Sequence, residues 1–430
     1  MKNNIKKQFN KSTSNKKTVT SKIGVGVYLD YSATSPVKKE VKEAILPYLE
    51  NDFGNPSSLH SFGQTAKNAV EKSREQVAEF LGCNTSEIVF TSGGTESDNL
   101  AIRGIVTNRI KKGIKNKPHI ITSQIEHHAV LRTCEHLEKA GLAEVTYLKP
   151  NTDGIITTTQ VEKAIKDNTV LISIMYVNNE VGTVQPIREI GKMVERINKL
   201  KNNRIYFHTD AVQATEYQNM NVDYLHVDLL SISGHKIGAP KGIGALYIRK
   251  NTPIVSIMFG GEQEHQLRAG TENVVGIVAL GEAVKMLTVN PAKSDDRGAG
   301  RKPFTEKTEK LRDYFIDKIL KEIPDTELNG SKADRSPNNA NFHFKFIEGE
   351  SILLNLDLVG IAASSGSACA SVSLTPSHVL MAMYDDPQRA HSSIRFTLGS
   401  ETTKEEIDYT IEKLKVIVNK LRAMSPFGRK

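Results

Sequence analysis

The sequence of 430 residues has no tryptophan, only three cysteines and no acidic residue before Asp30. Cys83, Cys134 and Cys369 cannot close a disulfide framework, and no CxxC or Cys/His ligand pair accompanies them. That usage excludes a disulfide-stapled secreted domain and a structural zinc module, and it fits a reducing compartment with at most one reactive thiol. Cys83 follows Gly82 at a predicted helix end, and Cys134 falls in the helical pattern Val130, Leu131, Cys134, Leu137, so both read as inert filler. Long apolar runs are missing as well. The best candidate, Val274 to Leu287, is interrupted by Glu282 and Lys285 and is too short for a bilayer, so no membrane association is expected.

Acid is missing where base is concentrated. The net charge of +8 suggests nucleic acid, but residues 1–29 hold seven lysines and no acid, which leaves the rest of the chain near neutrality. A basic nucleic-acid groove is therefore excluded. Residues 1–24 are rich in Lys, Asn, Ser and Thr with scattered apolar groups, the composition of a disordered basic tail. Missing acids and frequent hydroxyls resemble an organelle transit peptide, yet the tail has no arginine and no apolar face. A cytoplasmic protein is the favoured reading, with a mitochondrion-related organelle the alternative if the tail is a targeting signal.

At 38% hydrophobic, a chain of this length buries a large core and is expected to form two domains. Thr65 to Leu81 reads as a helix, with Ala66, Ala69, Val70, Val77, Phe80 and Leu81 on one face and a stop at Gly82. Short apolar strands are predicted at Glu87–Phe90, His119–Thr122, Glu144–Leu148, Val170–Tyr176, Arg204–His208 and Val227–Ile232. Strands alternating with helices predict an α/β fold with a mostly parallel, doubly wound sheet. Ligands bind such sheets outside the carboxyl ends of the strands. Thr95, His127, Asn179, Asp210 and Ser233 all lie just past those ends. After a polar stretch at Asn290–Pro303 come a helix at Glu306–Ile323, strands near Asn341–Phe346 and Ile394–Thr397, and a final helix from Lys404 to about Met424. The expected division is a large domain over 40–288, a linker or insertion over 289–303, and a smaller α+β domain combining 25–39 with 304–424.

The densest chemistry lies between two apolar runs, in Ser233-Gly-His-Lys236-Ile-Gly-Ala-Pro-Lys241-Gly242. A lysine at a strand end, desolvated and beside another cation, can form a Schiff base with a carbonyl. Thr91-Ser-Gly-Gly-Thr95 follows a strand and opens a helix, where backbone N–H groups and close-approach glycines make a phosphate cradle. Asp210, with Gln213, brings the carboxylate that keeps a pyridine nitrogen protonated. His127 supplies an imidazole that can stack on a ring. A phosphate cradle, a ring acid, a stacking imidazole and a Schiff-base lysine together describe a pyridoxal phosphate site.

These residues sit in longer motifs: Tyr28-Leu-Asp-Tyr-Ser-Ala-Thr34, Gly54-Asn-Pro-Ser-Ser58, Asn178-Asn-Glu180, His208-Thr-Asp-Ala-Val-Gln213, Arg268-Ala-Gly-Thr-Glu-Asn273, Ser364-Ser-Gly-Ser-Ala-Cys369 and Ser392-Ser-Ile-Arg-Phe396. Between about Tyr28 and Lys420 the chain resembles the cysteine desulfurases of the class V aminotransferase group, in the nitrogen-fixation and iron–sulfur-assembly branch. Ser35, the 290–303 insertion and the basic tail depart from the family pattern. The resemblance implies the type I fold of pyridoxal phosphate-dependent transferases and a homodimer. It further implies that L-cysteine is converted to L-alanine and that the sulfur is held for a protein acceptor such as an iron–sulfur scaffold.

Carried onto this chain, Lys236 would hold the cofactor, Asp210 its pyridine nitrogen and Gln213 its phenolic oxygen, with His127 stacked on the ring. Gly94, Thr95, Ser233 and His235 would hold the phosphate, joined by Thr271 from the partner subunit. Asn179 and Arg395 would orient the substrate carboxylate, and Asn179 would also touch the cofactor. Cys369, in a small-residue stretch that reads as a mobile loop reaching to Pro376, would carry the sulfur as a persulfide. A selenocysteine lyase and a non-catalytic sulfur-relay subunit are the rival readings. The cysteine loop argues against the first, and retention of both Lys236 and Cys369 argues against the second.

Overall fold

A computed structural model of the chain describes residues 20–21, 24–113, 116–201, 203–288, 303–365 and 375–426. Thr20–Ser21 (β1) pairs antiparallel with Gly24–Val25 (β2). Strand structure thus begins inside the stretch that composition assigned to a disordered tail, because a backbone ladder can close without an apolar face. Val27–Tyr28 (β3) follows. The next seven strands are Ile88–Thr91 (β4), His119–Ser123 (β5), Glu144–Leu148 (β6), Thr169–Ser173 (β7), Tyr206–Asp210 (β8), Leu229–Ser233 (β9) and Gly244–Ile248 (β10).

They form one sheet in the order β4-β10-β9-β8-β7-β5-β6. β10 runs antiparallel to both neighbours, and the remaining pairs are parallel, so six strands point the same way. Side chains alternate across the sheet. Leu230 and Ile232 enter one core with helices Ser61–Leu81, Ile187–Asn198 and Val274–Leu287, while Leu229 enters the other with Gly94–Lys111 and His128–Lys139. Burial on both faces explains the nearly continuous apolar runs. Several strands extend one residue or two beyond the apolar run that announced them, to end on Thr91, Ser123, Asp210 and Ser233. The ladder continues through polar residues that an apolar-run reading discards. Val274–Leu287 is a buried helix against Lys39–Glu50 and Ser61–Leu81, and among the described residues no helix is long and apolar enough to cross a membrane.

The second unit is built on Thr326–Leu328 (β11), Asn339–Phe344 (β12), Ile361–Ala362 (β13) and Ser393–Thr397 (β14). β11, β12 and β14 form an antiparallel sheet, and β13 pairs parallel with β3. Helices Pro303–Glu322, Gly349–Leu358 and Lys404–Met424 cover it, the last opened by a Thr403/Glu406 capping box. Proline is favourable at a helix start, so the first of these begins at Pro303 rather than beyond the polar stretch. Residues 289–302 lie outside the described residues. Val27 and Leu29 belong to this smaller core, alongside Phe315, Phe342, Phe344 and Phe396. The N-terminal segment then crosses to the large sheet, where Val41 is buried in the main core.

Phe342 packs edge-on against Phe315, with ring centroids 5.6 Å apart, and is fully buried. Phe342→Ala should cost about 3–5 kcal/mol, transfer and cavity terms together, read as an earlier urea midpoint. A loss below about 1 kcal/mol would show that the aromatic cluster does not hold the small core together.

Candidate active site

Beyond the carboxyl ends of the parallel strands lies a cavity of about 340 Å3, within the range of small-molecule sites. Lys236 enters it from a short helical turn, Gly234–Lys236, directly after β9. Its Nζ donates to the backbone carbonyls of Ser32 at 2.5 Å and Ala33 at 2.9 Å. The same N-terminal segment grips the loop at three more points. Ser35 N donates to His235 O at 2.9 Å, Gly238 N donates to Ser35 Oγ at 2.8 Å, and His235 Nδ1 lies 3.2 Å from Thr34 Oγ1. Gly238 has φ +92°, and a Cβ there would meet the Lys38 side chain at 2.6 Å, so glycine is required.

Opposite the lysine, helix Gly94–Lys111 starts after Gly93, whose φ is +149°. Gly94 and Thr95, in the first turn of that helix, line the cavity, and a helix start is suited to holding an anion. Ser233 and His235 line the cavity as well. Asp210 ends β8, buried, and its Oδ1 accepts from Val212 N at 2.9 Å. Burial raises its carboxyl to about 6, opposed by the Val212 N–H and by Lys236. Gln213 also lines the cavity, its Nε2 donating to Ser32 O at 3.0 Å.

His127 caps helix His128–Lys139, with Nδ1 accepting from Ala129 N at 3.2 Å. Burial, then the charges of Lys236, His128 and His378, push the imidazole down to about 4. It is neutral at physiological pH, with the hydrogen on Nε2. Arg395, on β14, donates to Asp30 Oδ1 and to Asn179 O, both at 2.8 Å. Asp30 and Asn179 thereby hold a buried guanidinium at the cavity wall.

Ten of the residues singled out from sequence meet in this cavity. Thr271 does not: it lines a separate hollow of about 140 Å3 with Arg268 and Glu272. Cys369 lies outside the described residues. The two ends of its segment are tied down, Ser364 by paired backbone bonds to Arg395 at 2.7 and 3.1 Å and Ser377 by a 2.5 Å bond to Glu180. Burial pushes the Cys83 thiol up to about 12 and the Cys134 thiol well above its ordinary range, so neither is a thiolate. Sequence reasoning passed over Asp30, Asp98, Glu126, Glu180 and His378. Asp98 was detectable, one helical turn past the cradle, whereas the Ser32 and Ala33 carbonyls carry no side-chain signal.

An amine, a buried carboxylate, a neutral imidazole and a helix start around one cavity fit pyridoxal phosphate, and Asp98, whose Oδ1 is buried without a partner among the described residues, lines the same cavity. The sequence profile of the family Aminotransferase class-V matches residues 27–410. The chain belongs to the class-V aminotransferase family. Enzymes of this family depend on pyridoxal phosphate. Within it the chain is similar to "Cysteine desulfurase IscS" of Dictyoglomus turgidum, 51% identical over 401 residues, 93% of this chain and 96% of that one. The protein of the same name from Methanosarcina thermophila is 50% identical over 404 residues, covering 94% and 95%. Among solved structures, a "NifS-like protein" superposes with a TM-score of 0.81 at 34% identity, covering 92% of this chain and all of that one. "SspA in complex with cysteine" gives 0.74 at 39% identity, covering 86% and 98%.

Glu126 offers a test of the site's electrostatics. It is fully buried, with Oε1 accepting from Ser123 Oγ at 2.6 Å and Met175 N at 3.0 Å, while Oε2 has no partner among the described residues. Burial, with Asp210 adding, raises its carboxyl to about 8. A raised folded value means stability is present below the unfolded value, near 4.3, and is lost as pH rises through about 8. Glu126→Gln removes that loss. Between pH 5 and pH 8 the variant's urea stability should climb relative to the parent by about 1 kcal/mol or more; a gap constant over this range would contradict the assignment.

Proposed function

We propose that this chain is a pyridoxal phosphate-dependent cysteine desulfurase that takes sulfur from L-cysteine, releases L-alanine and holds the sulfur as a persulfide on Cys369. The observation that carries this reading is the convergence of Lys236, Asp210, His127 and Arg395 on one cavity. Identity of about half the chain to proteins named cysteine desulfurase supports it.

In this reading Lys236 would hold the cofactor through Nζ, and its amine would take the proton from the substrate Cα. The cofactor, when bound, supplies the electron sink for the pair left at that carbon. Asp210 would pair with the pyridine nitrogen and Gln213 with the phenolic oxygen. Gly94, Thr95, Ser233 and His235 bind the phosphate, with Thr271 of the partner subunit. His127 would stack on the ring and, neutral with a hydrogen on Nε2, could donate a proton to the substrate. Arg395, oriented by Asp30 and the Asn179 carbonyl, receives the substrate carboxylate in two-pronged fashion.

The Cys369 thiolate attacks the substrate sulfur. An S–S bond forms, the substrate Cβ–S bond breaks, and its electron pair stays on carbon and is protonated. Cysteine and enzyme thiol thus become alanine and enzyme persulfide without an external oxidant. The sulfur acceptor is a protein, in keeping with an iron–sulfur assembly role. The active unit is a homodimer. Thr271 does not reach the cavity of its own subunit, and Phe53 and Phe62, stacked with ring centroids 5.6 Å apart, are 74% and 52% exposed on the single chain, an apolar surface suited to a second copy. The scarcity of cysteine suits a reducing cytoplasm.

Cys369→Ser should keep the cofactor's absorption band and lose sulfide and alanine production from L-cysteine by about a thousandfold or more. Cys83→Ser and Cys134→Ser should stay near the parent rate. Parental turnover by Cys369→Ser would replace this mechanism with a lyase that uses no protein nucleophile. Sedimentation should show a dimer, with Thr271→Ala still dimeric but quicker to lose cofactor; a stable monomer with full cofactor occupancy would refute the shared site.

A further inference from the structure

Polar side chains that the mechanism above leaves unused are buried behind Asp210. His208 and Asp210 are two residues apart on β8 and so face the same side of the sheet. Ser173 on β7 stands opposite His208, and Ser231 on β9 stands opposite Asp210. His208, fully buried, bridges these strands, with Nδ1 2.9 Å from Ser173 Oγ and Nε2 3.0 Å from Ser231 Oγ.

Asp98 descends on this row from helix Gly94–Lys111, the helix whose first turn lines the phosphate end of the cavity. Its Oδ1 lies 3.6 Å from His208 Nε2, beyond hydrogen-bond reach, and has no partner among the described residues. The side chain is 1% exposed, yet it lines the cofactor cavity. A buried carboxylate oxygen without a partner is costly, so its retention at this spot points to a task there.

Resting on the cofactor site assigned above, we propose that Asp98, packed beside the His208–Ser231 pair, is a positioning residue that sets Asp210 against the cofactor's pyridine nitrogen and couples it to the phosphate-binding helix. Burial drives the His208 imidazole down to about 3. It is therefore neutral and bridges as a donor on one side and an acceptor on the other. Burial, with Asp210 and Glu126 close by, raises the Asp98 carboxyl well above its ordinary range, opposed by the Ser231 hydroxyl. The cation facing this group of acids is Lys236, which acts on Asp210. Its surroundings thus favour the protonated form of Asp98, while Lys236 favours the ionised form of Asp210.

The test is a pH titration of the long-wavelength absorption band of the purified holoenzyme, which reports the basicity of the imine nitrogen joined to the ring. A protonated pyridine nitrogen withdraws electrons and lowers that midpoint, so weakening its acid raises it. Asp210→Asn should raise the midpoint. Asp98→Ala should raise it by at least about half a pH unit, roughly threefold in the protonation constant, and Ser231→Ala should raise it by less. Asp98→Asn, which keeps shape and a donor, should stay at the parent value. Unmoved midpoints in both Asp98→Ala and Ser231→Ala would overturn the proposal even if melting temperatures fall, since that is packing alone. An equal rise in Asp98→Asn would overturn it too. If Asp98→Ala fails to retain cofactor, Ser231→Ala decides by the same criterion. If Asp210→Asn leaves the midpoint in place, the ring-acid assignment fails and this inference fails with it.

Discussion

The site depends on the grip of two backbone carbonyls, Ser32 and Ala33, on the Lys236 ammonium. Those carbonyls belong to a segment whose upstream residues, Val27 and Leu29, are buried in the small core. The lysine belongs to the loop leaving β9 of the large sheet. One set of polar contacts therefore fixes the reactive amine and joins the two halves of the chain. The bonds from Ser35 and Gly238 repeat the connection, and the Asp30–Arg395 pair makes it again from the small-sheet side. Arg395 and Lys236, from distant parts of the sequence, face one cavity because this segment runs between them.

Burial sets most of the charge states around that cavity. Desolvation holds His127, His208 and His235 at about 4, 3 and 4, so the imidazoles are neutral. It also raises Asp98, Glu126 and Asp210. Asp210 is raised least in effect, because a backbone N–H and Lys236 oppose the cost of burying it. An ionised Asp210 among neutral imidazoles is what a pyridinium partner requires, and it follows from where each group sits at the strand ends.

Much of this was legible in the sequence, and the unread parts share a cause. The parallel sheet was announced by apolar strands spaced by helical patterns, and Glu144–Leu148 and Lys404–Met424 match their predicted spans. Lys236, Asp210, His127 and the glycines at 93 and 94 were legible because their side chains, or the lack of one, have a chemistry that few other roles require. Main-chain carbonyls have no such signature, so the contacts of Ser32 and Ala33 could not be read. Asp30 had no role legible in the sequence because its partner, Arg395, is 365 residues away. The β1–β2 pair escaped because short backbone ladders need no apolar alternation. Polar strand ends such as Asp210 and Ser233 were placed past the strands rather than in them, since an apolar run stops where the site begins.

The central claim, that the cofactor is held by the amine at the end of β9, is tested most directly by borohydride reduction of the purified holoenzyme followed by peptide mapping. Lys236 lines the cavity, whereas Lys241, five positions on in the same loop, is exposed to solvent. The account predicts a stable cofactor adduct on the peptide carrying Lys236 and none on Lys241. An adduct on Lys241, or no lysine adduct in a preparation that retains its absorption band, would contradict it.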